Sequence, residues 1–195
     1  MNKKKIIIIL LVIVILLVGG YFLKQFIEKG KLALEEKGIT YYDKLHNLYF
    51  FRENIDYVLD ENNQRKYIEI DNKKYYEIAN KEVIEDLVTE NMLLKTSGFL
   101  NIRIINNQYY MKDYGRGLSG YYGTELKLES VNKDKLEYKA LSKFCEIDSK
   151  VSYGSGCHNE KYYYIEKPFV LIKENGIWKV DEYTSVFEFE DSLIK

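Results

Sequence analysis

From Ile6 to Leu23 the chain reads IIIILLVIVILLVGGYFL, about eighteen residues without a charge, close to the ~20 that a helix needs to cross a ~30 Å hydrocarbon core. A cleaved signal peptide has a shorter apolar region ending in small residues at the A-x-A spacing. Gly19, Gly20, Tyr21, Phe22 offers no such site, and no cysteine directly follows that could carry lipid. The expectation is an uncleaved signal anchor. Lys3, Lys4 and Lys5 flank the run densely, with nothing comparably dense on the far side until Lys24 and Lys29, so the preceding end is expected in the cytoplasm. The chain is then a single-pass protein of the cell membrane with its C-terminal domain extracellular.

This division gives residues 1–23 as cytoplasmic tip and transmembrane anchor, 24–38 as a helical stalk ending at Gly38, 39–187 as an extracytoplasmic domain, and 188–195 as a tail. Removing the three N-terminal lysines takes the net charge from -1 to -4 outside. Nucleic acid is thereby excluded as a partner, because neutralising phosphates needs a clustered basic face. The chain is rich in Lys, Asn, Ile and Tyr, a usage common in AT-rich coding sequences. Its nineteen tyrosines are therefore not all to be read as function.

Ile39, Tyr42, Leu45, Leu48 and Tyr49 recur at helical spacing and predict a first amphipathic helix. KYIEID alternates like a strand, and DNKK reads as its turn. Asn80 is a candidate N-cap for a second helix over KEVIEDLVTENMLL, stopped by Gly98. From Phe99 the period changes to two, with strands predicted at 99–105, 108–114, 121–131, 135–146, 162–173 and 177–184. Asn175-Gly176 suits a tight type I′ hairpin, and Asn106-Asn107 and Asn132 to Asp134 read as further turns. Short links imply antiparallel neighbours. The fold class expected is α+β, with helices packed on a curved antiparallel β-meander.

YYMKDYGRGLSGYYG, Tyr109 to Gly123, places Gly115, Gly117 and Gly120 as G-x-G-x-x-G. A dinucleotide fingerprint requires a helix after the glycines, whereas YYGTELKLESV alternates like a strand. A kinase-type loop would need H-R-D and D-F-G companions, which are absent. Two readings stay open: a plain inter-strand linker, or a recognition loop. Exposed Tyr and Arg are enriched at interface hot spots, so the candidate partner-binding residues are Tyr110, Tyr114, Arg116, Tyr121 and Tyr122.

Cys145 and Cys157 bracket EIDSKVSYGSG. In an oxidising exterior they are expected to form a disulfide. A Cys157/His158 catalytic pair is disfavoured, because adjacent side chains on a strand point apart. Two histidines and two cysteines show no ligand spacing of a metal site, so no metal or cofactor is expected. His46 reads as a partly buried or surface histidine, and Trp178 as a packing residue that closes the core.

KYIEIDNKKYYEIAN, KEVIEDLVTENMLL, NIRIINNQYYMKDYGRGLSGYYGTELKLESV and the late NGIWKVDEYT together resemble the IseA family, extracytoplasmic inhibitors of cell-wall DL-endopeptidases (autolysins) in Gram-positive bacteria. The resemblance covers roughly Ile39 to Thr184 and rests on no catalytic motif. It implies a protein that is not an enzyme and that occupies the Cys/His cleft of a hydrolase cutting peptidoglycan stems. The anchor departs from the family pattern, which is secretion by a cleaved signal. A rival reading comes from the order of helices before a curved sheet and from the late WKV. It is a nuclear-transport-factor-2-like domain, binding a small molecule in a tyrosine-lined cone or serving a structural role at the envelope.

Overall fold

The computed structural model of the chain describes residues 3–95, 102–112, 121–145 and 162–183, with side chains described for 13–48, 52–93, 102–112, 121–143, 162 and 164–183. The architecture is α+β: a long N-terminal helix and two antiparallel four-stranded sheets. Packing divides the chain into two units, Met1–Lys37 and Gly38–Lys195.

Helix α1 runs Lys3–Phe51 without a break. In the first unit its consecutive residues Ile13 to Val18 are all exposed, Leu16 and Leu17 to 68% each, so apolar groups face outward around the whole helix. Among the described residues, no helix is long and apolar enough to cross a membrane. The uncharged run begins ahead of Ile13, where description of the side chains starts.

The stop expected at Gly38 does not occur, and stalk and first amphipathic helix are one element. A Cβ at Gly38 would meet the Tyr138 ring, with Cζ at 2.7 Å and Cδ1 at 2.9 Å. The glycine is there for close approach to the sheet, not for termination. Gly38, Tyr42, Leu45 and Leu48 fall on one helical face and are buried, whereas Ile39, expected with them, is 46% exposed. α1 ends instead at Arg52, which adopts a left-handed φ of 56° and donates from Nη2 to the Lys112 carbonyl at 3.1 Å. That conformation costs a non-glycine residue about 1–2 kcal/mol, and the side-chain anchor offsets part of it.

Sheet one holds β1 (Tyr67–Ile70), β2 (Lys73–Glu77), β3 (Ile102–Ile105) and β4 (Gln108–Lys112) in the order β1-β2-β4-β3. Sheet two is a meander of β5 (Tyr121–Asn132), β6 (Lys135–Cys145), β7 (Tyr162–Glu174) and β8 (Ile177–Glu182). The single meander expected from sequence is thus two sheets. The β1–β2 hairpin precedes the short helices, and β4, which follows them, returns to pair with β2. Three hairpins turn on residue pairs with positive φ at both positions: Asp71-Asn72, Asn106-Asn107 and Asn175-Gly176. That is the conformation Asn and Gly accept most cheaply.

The second helix expected over 81–94 is not continuous. It is broken into α2 (Glu82–Glu85) and α3 (Glu90–Lys95). Between them Val88 forms a parallel bridge with Val180 of β8: Thr89 N donates to the Val180 carbonyl and Val180 N to the Leu87 carbonyl, each at 2.9 Å. These groups cannot also serve a helical ladder, so a tertiary contact overrides local propensity and covers the edge of β8. Asn80 does not cap the helix with its side chain. Its Nδ2 donates to the Asn54 carbonyl at 2.7 Å and its Oδ1 accepts from Asp56 N at 2.9 Å, pinning the turn after α1. The capping residue is Thr89, whose Oγ1 accepts from Met92 N at 3.0 Å and donates to Asp181 Oδ1 at 2.8 Å.

The core of sheet two follows a period of two. Leu136, Tyr138, Ala140 and Ser142 are buried along β6, with Phe169 opposite Tyr138 and Leu171 opposite Leu136. Tyr42 of α1 packs edge-on against Phe169 at 5.3 Å and Tyr183 at 5.5 Å between ring centroids. Trp178, expected to close this core, is only half-buried with Lys173 over its ring, and the fully buried place on β8 belongs to Val180.

Candidate functional site

The start of β5 sorts its two tyrosines onto opposite sides. A register shift between Tyr121 and Gly123 bulges the strand, and Gly123 takes a φ of 127° that a residue with a side chain rarely adopts. Tyr121 turns inward. Its ring stacks on His46 at 5.2 Å, and its hydroxyl shares a 2.8 Å hydrogen bond with Thr124 Oγ1. Thr124 also bonds the Tyr42 hydroxyl at 3.0 Å and Ser142 Oγ at 2.7 Å. One donor and two acceptor positions of a threonine hydroxyl match these three partners, so the cluster is closed. Burial pushes the Tyr121 pKa up and lowers that of His46 to about 4, so the imidazole is neutral near pH 7.

Tyr122 turns outward and is 53% exposed. Its ring meets Tyr162 edge-on at 5.4 Å, and Lys143 Nζ stands 4.1 Å from the Tyr162 centroid and 5.8 Å from that of Tyr122. Tyr164, also exposed, pairs directly with Lys143 across β6 and β7. Two exposed tyrosine rings thus flank one lysine on the outer face of sheet two, with exposed Tyr164 as its cross-strand neighbour. Cation and aromatic faces at such distances attract by about 0.5–1 kcal/mol at exposed sites. The arrangement presents broad, stiff amphipathic rings that lose little rotamer freedom when covered, together with a cation.

Of the residues expected to bind a partner, Tyr122 is in this cluster, Tyr121 is half-buried with its ring on His46 and its hydroxyl on Thr124, and Tyr110 lies half-buried on β4 opposite Glu77 and Arg103. Tyr114 and Arg116, with Gly115, Gly117 and Gly120, lie outside the described residues. So do Cys157 and His158. Cys145 closes β6 opposite Tyr162, and the proposed disulfide falls outside what is described. Lys143, Tyr162 and Tyr164 were not singled out from sequence. Strand parity carried the signal, since Tyr162 and Tyr164 alternate with Ile165 and precede the buried Phe169.

Among the described residues no three His, Cys, Asp or Glu side chains gather where they could hold a metal ion. The space between α1 and sheet two, where a small-molecule cone would be open, is filled by Tyr42, Leu45, Tyr138 and Phe169, each exposed by 4% or less. No protein-family model matches the chain, and no curated protein matches it significantly.

Proposed function

We propose that this chain is a membrane-anchored extracytoplasmic interaction domain that inhibits a peptidoglycan DL-endopeptidase by occluding its Cys/His cleft. The observation that carries the reading is the cluster of exposed Tyr122, Tyr162 and Tyr164 with half-buried Lys143. It sits at the end of sheet two where β5 begins, β6 ends and β7 begins. Aromatic rings and a cation grouped there suit a groove built to accept a peptide with acidic groups. The resemblance to the IseA family supplies the target class.

The anchor reading draws on the uncharged run and on the apolar side chains facing outward around α1. A helix apolar on all sides is stable only when covered, and lipid is the economical cover for residues 6–23 flanked by lysines. The packed interior favours an interaction module over a cone that holds a small molecule.

The test uses the full chain in nanodiscs with a DL-endopeptidase and a soluble stem peptide. Replacing a central aromatic anchor costs about 2 kcal/mol or roughly 30-fold in affinity. Tyr122→Ser combined with Lys143→Glu therefore raises the inhibition constant by at least that factor, while the thermal transition stays put because both side chains are on the outer face. Undiminished inhibition by the folded double variant refutes this surface as the contact.

A further inference from the structure

The C-terminal part of α1, the turn after it and the stretch from α2 to Leu87 border an open cleft of about 370 Å³. None of the cleft residues belongs to the tyrosine cluster, and the volume lies within the ~300–1,000 Å³ usual for small-ligand sites. Its floor is apolar: Leu48 and Leu87 line it and are 2% and 8% exposed. Its rim is charged in both signs. Lys44 comes from α1, Glu53 from the turn and Asp86 from the residue that caps α2.

Among the described residues none of these three charges forms an ion pair. The two amides on the rim, Asn47 and Asn54, add donors and acceptors between them. The turn wall is preorganised. Asn54 is held at a φ of 62° with its carbonyl clamped by Asn80, and Arg52 is held at 56° with its guanidinium on the Lys112 carbonyl. A wall fixed in advance loses little freedom when a ligand arrives.

We propose that this cleft binds a short peptide or amino-acid-like molecule carrying one carboxylate and two ammonium groups. The rim carries one positive and two negative charges, and such a ligand mirrors that balance. Its carboxylate faces Lys44, its ammonium groups face Glu53 and Asp86, and its aliphatic part lies over Leu48 and Leu87. The assignment stands independently of the endopeptidase reading, because it uses different residues.

The probe is the dipeptide alanyl-lysine, with alanyl-glutamate as its charge-reversed control. Each is titrated into the ¹⁵N-labelled full chain in nanodiscs while the amide signals of Asn47, Asn54 and Asp86 are followed. The expected result is saturable movement of these signals, with alanyl-lysine binding at least about fivefold tighter than alanyl-glutamate, the factor for one screened surface charge pair. Asp86→Lys, an exposed position that leaves the rest of the spectrum unchanged, removes or inverts that preference. Shifts that do not saturate, equal affinity for the two dipeptides, or a preference unchanged in Asp86→Lys overturns the proposal.

Discussion

Substituting alanine for Gly30 and for Gly38, two of the glycines of α1, separates a glycine that serves packing from one that does not. In a helix interior, Gly→Ala gains about 1 kcal/mol in propensity. At Gly30 nothing lies within 4 Å of the added methyl, so that gain is expected in full. At Gly38 the methyl would overlap the Tyr138 ring, with Cζ 2.7 Å and Cδ1 2.9 Å away. Tyr138 is 2% exposed and packs on Phe169 at 5.8 Å, so the ring has nowhere to swing. Forcing extra carbon into such a core costs about 1–3 kcal/mol. The propensity gain is common to both sites and cancels in the comparison. Gly38→Ala should therefore unfold about 1–3 kcal/mol more easily than Gly30→Ala, a gap of roughly 2–12 °C at about 2–4 °C per kcal/mol for a chain of this size. Urea and thermal melts followed by Trp178 fluorescence in micelles give both numbers. The double variant Gly38→Ala, Tyr138→Leu should recover part of the loss, because the two positions touch. Equal stability of the two alanine variants would refute the claim that Gly38 marks the helix–sheet contact.

Thr89→Val removes the cap of α3 and the Asp181 bond while keeping the volume, and should cost about 1–2 kcal/mol in urea melts, whereas Thr89→Ser should cost much less. Thr124→Val strips the shared partner from Tyr42, Tyr121 and Ser142, and should lower stability by about 1–3 kcal/mol. An unchanged melt would mean the cluster contributes nothing. His46 has a folded pKa of about 4 against an ordinary 6.5, so the unfolded chain binds the extra proton between those values. Its contribution to stability is complete above pH 6.5 and is lost as pH falls toward 4. The urea midpoint of wild type should drop more steeply over that window than that of His46→Gln, and parallel profiles would exclude His46 as the source.

Local chemistry made much of the fold legible. The pairs Asn106-Asn107 and Asn175-Gly176 were readable because turn conformation is written in the residues that tolerate positive φ. The alternation along β6 was readable because burial there repeats every two residues. What was hidden depends on contacts distant in sequence. Gly38 has the propensity of a helix stop, and only the Tyr138 ring explains why a glycine stands there inside a continuous helix. KEVIEDLVTENMLL has the pattern of one helix, and only the Val88 bridge to Val180 explains the break. The candidate surface was half legible. Tyr122 stood in a segment already suspect for its aromatic and glycine content. Tyr162 and Tyr164 join it only through the β6–β7 register, which places Lys143 between strands about forty residues apart along the chain.

The central claim is occlusion of a cleft, and steady-state hydrolysis of a soluble peptidoglycan stem peptide by a DL-endopeptidase tests it most directly. With rising concentrations of the nanodisc-held protein, the account predicts that the apparent KM increases linearly while kcat stays constant, as competition for the peptide groove requires. Rates that do not change in the presence of the folded protein, or inhibition that lowers kcat at constant KM, would contradict it.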